Sequence, residues 1–397
     1  ADFGLVHAVS VGETLSMLPV LERLKAETPL PIVLSTTIED AEIVSQKYPE
    51  IFAASTFICL DFTPFLSLFL RILSPRAVIL SETDFWPNFL FQCSRRRIPV
   101  FLCNGRISKK FFKRSCYFGM EARKMLLSIR RFFVQRPADA QFLKKLGVPK
   151  GIVTVTGNSK YESSLFIKEP KKSTDDAIQL LKSCRDAIII GGSTHGGEER
   201  LLIEFFDFPK RFEFKLILAP RDVQRANDIL ELSESYEKKA IRWTEFKTSD
   251  SLDESSIESL DILILDSMGE LAHFYEAADI VFIGGTFNDV GGHNFLEACA
   301  LEKAVVLGPK VRNISFDLEV FLENDSIIQV EDQKSLYDSF LYLLNNPESS
   351  RKLGSRAKSL LERSRGASSM TFETMWEDLK ALQADHFGNE QKRGIIR

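Results

Sequence analysis

The sequence predicts an α/β protein made of two doubly wound parallel sheets. Short apolar runs alternate with helix-length segments along the whole chain, the pattern of repeated βα units. At 397 residues the chain is long for one hydrophobic core, so two domains are expected. The stretch KEPKKSTDD, with its proline and alternating charges, interrupts the series and reads as a linker. The expected division is a first domain at 1–167, a linker at 168–176, a second domain at 177–370, and a C-terminal helix within 371–397 that packs back on the first domain before a tail.

In order, strands are expected over 5–9, 32–35, 57–60, 77–80, 100–103, 132–134 and 153–155. Helices fit between them at 13–25, 39–47, 64–73, 86–95, 109–128 and 138–146, and Asp61 with Pro64 marks one helix start. The second series places strands over 187–190, 214–218, 260–265, 280–283, 304–307 and 326–330, then helices at 335–344, 349–362 and 372–382.

Composition is that of a soluble globular protein, with 32 Phe against 7 Tyr and a net charge of −4 that points to no partner by itself. The six cysteines are scattered, with no C-x-x-C pair and no nearby histidines, so a reduced, cytosolic protein without structural zinc is expected. No apolar run approaches the ~18–20 residues that span a bilayer. The sequence opens almost directly on a strand, with no signal peptide, which suggests that a segment precedes it in the full protein.

The stretch from Asp266 to Pro309 reads as helix, buried strand, glycine-rich loop, helix and strand. Gly284, Gly285, Gly291 and Gly292 allow tight turns and close approach to a ligand. His293 and Asn294 fall where the next helix starts, and Glu297 lies one turn in. A helix start suits a phosphate, and the carboxylate can hold ribose hydroxyls. The competing reading is an ordinary βα turn that needs glycine.

Other chemistry also gathers where strands end. Glu13, in HAVSVGE, is placed as a general base or as a carboxylate complementing a helix dipole. Glu82, in SETDFWPN, is a cap or structural anion taken singly; paired with Glu13 it can divide base work from stabilisation of positive charge. That segment is not a convincing metal motif. Lys160, in TGNSKYE, can balance a leaving phosphate. GGSTHGGEE can cradle a phosphate without being a Walker loop, and Arg221 after Pro220 can meet a phosphate or a base carbonyl. From Arg95 to Arg131 twelve basic residues face Glu121 alone, interleaved with Phe111, Phe112, Tyr117 and Phe118. This reads as a surface for anionic lipid or a phosphorylated acceptor, against a plain solvated helix face. Nucleic acid is disfavoured, because no recognition module or overall basic charge accompanies it.

Taken together, HAVSVGE, SETDFWPN, NGRIS, TGNSKYE, GGSTHGGEE, APRD, DSMGEL and GGTFNDVGGHNFLE occur in an order that strongly resembles the Kdo (3-deoxy-D-manno-octulosonic acid) transferases. The resemblance covers nearly the whole chain. It implies a GT-B fold, two Rossmann-like domains facing across a cleft, and inverting, metal-independent transfer from CMP-Kdo to a lipid A precursor in lipopolysaccharide core biosynthesis. It implies Glu13 as catalytic base, with Glu82 and Lys160 stabilising the transition state. It further implies that Pro220, Arg221, Met268, Gly269, Glu270, Asn294, Phe295, Leu296 and Glu297 hold CMP, and that no cofactor is required. The expected location is the cytoplasmic side of the inner membrane. The family's usual hydrophobic N-terminal anchor is not in this sequence. Departures are Ala298 in place of a frequent proline, Glu302 in place of a frequent glycine, and Ser35-Thr36-Thr37 without the Thr-Gly that often follows. The alternatives are a GT-B transferase or epimerase using a UDP-sugar, and an inactive GT-B scaffold at a lipid surface.

Overall fold

The computed structural model describes residues 3–37, 39–83, 85–165, 170, 172–184, 186–208, 213–248, 257–363 and 365–394. The chain divides into two compact units, Ala1–Ser163 with Ser364–Arg397, and Ser164–Arg363.

The first unit holds β1 (Gly4–His7), β2 (Ile32–Thr36), β3 (Phe52–Phe57), β4 (Ala77–Ser81), β5 (Val100–Gly105), β6 (Arg131–Val134) and β7 (Val153–Val155). They form one sheet in the order β3-β2-β1-β4-β5-β6-β7, paired in parallel. The second unit holds β8 (Ala187–Thr194), β9 (Phe214–Pro220), β10 (Ala240–Arg242), β11 (Ile262–Ile264), β12 (Ile280–Ile283), β13 (Ala304–Leu307) and β14 (Ile328–Gln329). Their order is β10-β11-β9-β8-β12-β13-β14, again parallel. Strands β4, β5, β12 and β13 are buried at every residue, which explains why they read as unbroken apolar runs.

In each sheet the chain builds outward on one side and then returns to build on the other. The reversal falls between β1 and β4 in the first sheet and between β8 and β12 in the second. Loops leaving the carboxyl ends diverge at such a point, and ligands of open α/β sheets bind there.

One face of the first sheet packs Leu5, Val78, Leu80, Leu102 and Phe132 against Phe89, Leu90 and Leu126. The other packs Val6, Ile79, Phe101 and Phe133 against Met17 and Leu21, and against Phe372 and Met375 of the helix Ala367–Gly394. Asp378 of that helix pairs with Arg131, at 2.5 Å, and with Arg130, at 3.6 Å. Glu162 anchors the approach to the helix by accepting the Gly366 N–H and, at 3.0 Å, the Ser368 N–H. In the second unit, Ile189, Leu216, Ile264, Phe282 and Val306 pack with Phe205, Tyr337 and Phe340.

Among the described residues the structure departs from the sequence expectation in several elements, including the further helices Ala226–Ser235 and Ser315–Glu323. Strand β3 lies at 52–57 rather than 57–60, and β10 is a further strand. Both are sheet edges with half-exposed residues, so neither carries the apolar run that marks a buried strand. The expected linker at 168–176 overlaps the helix Lys172–Ser183, whose Thr174 is fully buried. Ser, Thr and Asp suit helix starts as well as loops, and here they begin a helix. Residues 168, 169 and 171 of that linker, and 395–397 of the tail, lie outside the described residues. The helix Lys109–Leu127 breaks its helical geometry at Gly119, which has φ +50°.

Replacing Glu162 by Ala leaves two backbone N–H groups without their acceptor. The first unit is expected to lose about 2–4 kcal/mol, read as a lower midpoint of its urea unfolding transition.

Candidate active site

In the first unit, polar side chains line the carboxyl end of the sheet, where the strands stop and the apolar layers end. Ser10 caps the helix Val11–Glu27 and accepts the Glu13 N–H at 3.2 Å. The Glu13 carboxylate reaches back to the Val9 N–H at 2.9 Å. This is close to a capping box, so the helix start that stabilises the acid also fixes its position beyond β1.

Glu82 follows β4, the neighbour of β1 across the switch point. Its backbone is left-handed, φ +55°, a conformation that is costly for a residue with a Cβ and that aims its side chain away from the strand direction. Its carboxylate forms an ion pair with Lys160, at the start of the helix Ser159–Leu165 after β7. That pair spans the ends of β5 and β6. Asn104, left-handed at φ +53° within the buried end of β5, accepts the Ser159 N–H at 3.1 Å and so fixes the start of the lysine's helix. Gln135 in turn donates to the Asn104 carbonyl at 3.0 Å.

His7 closes the row at β1. Its Nδ1 lies 3.1 Å from the Ser35 carbonyl, which can only accept, so Nδ1 carries the proton and Nε2 is bare. Burial, only partly countered by that bond, lowers its pKa to about 4. Trp86, of the WPN segment, meets its ring edge-on at 5.8 Å. The structure therefore brings Glu13 and Glu82 to adjacent strand ends and places Lys160 on Glu82.

In the second unit, Glu198 organises the glycine-rich loop. It is buried at 1% exposure, and its carboxylate accepts four backbone N–H groups. These come from His195 (2.9 Å), Gly285 (2.8 Å), Thr286 (2.9 Å) and Phe287 (3.0 Å). A buried carboxylate is tolerable only with such full hydrogen bonding. A protein carboxylate thus already occupies the amides of this loop, and of the GGSTHGGEE backbone offered to a phosphate it takes the His195 N–H. Gly284 is required by packing: a Cβ there would sit 2.2 Å from the Ser193 carbonyl, so the loop after β12 touches the end of β8 backbone to backbone.

Around this core, Pro220 is buried at the end of β9 and Arg221 is exposed. The helix after the loop, Leu296–Ala300, is short. Asn294 is exposed, accepts the Leu296 N–H at 3.1 Å and donates to Glu297 at 2.9 Å. Burial raises the Glu297 pKa, with the Asn294 bond opposing it. Phe295 and Leu296 lie in the core, Phe295 edge-on to Phe321. Glu270 accepts from Trp243 Nε1 at 2.8 Å, from Thr174 at 3.0 Å and from Ser267. Burial works against its charge, but those bonds together hold its pKa below the usual range. Its carboxylate therefore braces the turn, which presents Gly269 at φ +87° and Met268, 65% exposed.

Sequence reasoning missed Glu198, Asn104 and a contact between His195 and His293, whose Nε2 atoms are 2.7 Å apart. The only signal was their place in quoted motifs; the roles depend mostly on partners 31 to 98 residues away. Among the described residues, no group of three or more His, Cys, Asp or Glu could hold a metal ion, and no helix is long and apolar enough to cross a membrane.

The basic stretch at 95–131 divides. Arg96 binds Gln92 and Ser67, and Arg131 binds Asp378. Phe111 and Phe112 turn inward, stacking on Phe85 and Phe142. Lys109, Lys110, Lys113, Arg114, Tyr117 and Phe118 are exposed. The helix Thr63–Leu73 adds an apolar face that the sequence reading passed over: Phe65, Leu68 and Ile72 are exposed, as are Leu60 and Phe62 just before it.

Two doubly wound parallel units, each with polar groups at its switch point, define the GT-B class. A UDP-GlcNAc 2-epimerase from Neisseria meningitidis shares the fold, with a TM-score of 0.64 at 15% identity over 95% of this chain and 100% of that one. A glycosyltransferase from Rickettsia africae does so with a TM-score of 0.59 at 13% identity, over 96% and 99%. More particularly, residues 3–163 match the family described as 3-deoxy-D-manno-octulosonic-acid transferase (kdotransferase). The 3-deoxy-D-manno-octulosonic acid transferase of Haemophilus influenzae is 28% identical over 368 residues, 91% of this chain and 84% of its own. That of Chlamydia muridarum is 27% identical over 381 residues, 94% and 85%. The chain is thus similar to Kdo transferases along most of its length, as its ordered motifs imply.

Glu198→Ala is expected to speed hydrogen exchange at the Gly285, Thr286 and Phe287 amides by tenfold or more, since each loses a bond whose absence costs about 1–3 kcal/mol. The folded pKa of His7 lies below the usual 6.5, so the unfolded chain binds the extra proton between those values. Its contribution is fully present above pH 6.5 and is lost as pH falls toward 4. Urea unfolding is expected to show a fall on the order of 3 kcal/mol across that window, absent from His7→Gln.

Proposed function

We propose that the chain transfers Kdo from CMP-Kdo to a lipid A precursor, with inversion and without a metal cofactor, at the cytoplasmic face of the inner membrane. The observation that carries this reading is the Glu82–Lys160 ion pair on the same strand-end row as Glu13, at the switch point of the first sheet, in a chain similar to Kdo transferases.

The chemistry follows from the charges. Glu13 deprotonates the acceptor hydroxyl as the bond to CMP breaks. Positive charge grows at the anomeric carbon and meets the Glu82 carboxylate. Lys160, held by that same carboxylate, meets the negative charge that leaves with the phosphate. CMP carries a single phosphate, so one cation suffices to balance it; the first unit offers Lys160 for this and the second offers Arg221. On the second unit, Arg221, Asn294, Glu297 and the turn bearing Met268 and Gly269 offer polar groups to the nucleotide. Pro220, Phe295, Leu296 and Glu270 support those positions from beneath.

For the acceptor side, the exposed apolar face of Thr63–Leu73 and the exposed cations at 109–114 belong to the same unit as Glu13. Apolar residues beside cations suit an anionic lipid surface.

Glu13→Ala is expected to lower transfer by about 10²–10⁴-fold while leaving CMP affinity unchanged; full activity in that variant would sink the mechanism. CMP should raise the thermal midpoint of the protein where UDP does not. A preference for UDP would favour a UDP-sugar enzyme instead.

A further inference from the structure

We propose that His195 and His293, together with Arg221, form a subsite for an anionic group of the donor, and that the histidine pair takes up one proton when that group binds. This rests on the donor reading given above and assigns to the same site two residues that it leaves unused.

The geometry is specific. The two rings lie nearly parallel, 8° apart, with Nε2 to Nε2 at 2.7 Å. His195 follows β8 and His293 lies in the loop after β12, so the pair straddles the switch point of the second sheet. The seat for His293 is built into the backbone: Gly285 has φ +73°, and a Cβ there would come within 3.0 Å of the ring. Between the two loops, the buried Thr194 hydroxyl has no hydrogen-bond partner among the described residues. Both histidines are half-buried and Arg221 is exposed, so an anion has access.

Two nitrogens this close share one proton. When both rings are neutral, one Nδ1 carries hydrogen and the other is bare. One further proton, taken from solvent, puts hydrogen on both Nδ1 atoms and leaves the shared proton in place. The pair is then a monocation with two donors. A second added proton would set two N–H groups against each other.

The charges around the pair decide when this happens. Arg221 reaches it from β9, and the side chain of Arg312 lies beside Gly291 of the same loop. The Glu198 carboxylate is engaged by four backbone amides, and Glu297 is held by Asn294 with its pKa raised by burial. Burial, then His195, then Arg221 lower the His293 pKa to about 4, so without an anion His293 is neutral near pH 7. An anion at Arg221 removes the repulsion and draws the proton in.

The test is calorimetry of the full chain with CMP at pH 7 in two buffers of different ionisation enthalpy. The wild type is expected to bind more protons than His293→Asn or His195→Asn, the difference approaching one. Its affinity should fall more steeply with rising pH than that of either variant, toward tenfold per pH unit. The titration of CMP's own phosphate is common to all three proteins and cancels. Cytidine, lacking the phosphate, should show no difference; a difference with free Kdo in place of CMP assigns the subsite to a carboxylate. Should the variants fail to fold, ¹⁵N spectra of the wild type's five histidines serve instead, with two rings gaining between them the charge of one imidazolium on ligand addition. Binding of CMP and Kdo with equal proton uptake in all proteins, or no histidine shift, overturns the subsite alone. Failure of both ligands to bind the wild type overturns the donor reading with it.

Discussion

Parallel strands covered on both faces leave polar side chains nowhere to sit except at the strand ends. Strands β4 and β12, one in each unit, are buried at every residue, and hydrogen-bonding groups gather toward the carboxyl ends. The switch points then select among those ends, since only there do neighbouring loops part. Glu13 and Glu82 flank one such point, and His195 and His293 flank the other. The chemistry is located by this constraint before any single residue is considered.

A second consequence concerns which polar groups remain available. Glu198, Glu270 and Asn104 stand in motifs that read as ligand contacts or loops, yet each is engaged in holding backbone or a neighbouring side chain. Desolvating a carboxylate is costly, so those that are buried are fully bonded, and those left at the surface are the ones that can meet a substrate. The division between Glu198 and Glu13, or between Glu270 and Arg221, follows from burial rather than residue type. Left-handed backbone at Glu82 and Asn104 belongs to the same economy: strain is accepted where a side chain must turn out of the strand direction.

Much of this was readable from the residues in order. Buried strands such as 77–80 and 280–283 announce themselves because both faces are apolar, and their ends bring Glu82 and the glycine loop into view. Edge strands 52–57 and 240–242 did not, because half their residues face solvent and no periodic signal survives. Only the start of the helix Lys172–Ser183 reads as linker, because Ser, Thr and Asp serve both purposes, and its buried Thr174 finds its partner in Glu270, 96 residues on.

By itself, then, the sequence determined the fold class, the order of the motifs, and the identity of Glu13, Glu82 and Lys160 as strand-end residues, because alternating patterns and helix starts are local properties. Only the tertiary structure decided that Lys160 pairs with Glu82, that Glu198 occupies the loop amides, and that His195 meets His293. Those contacts join residues 78 to 98 positions apart, and strand order, which no local pattern encodes, is what brings them together.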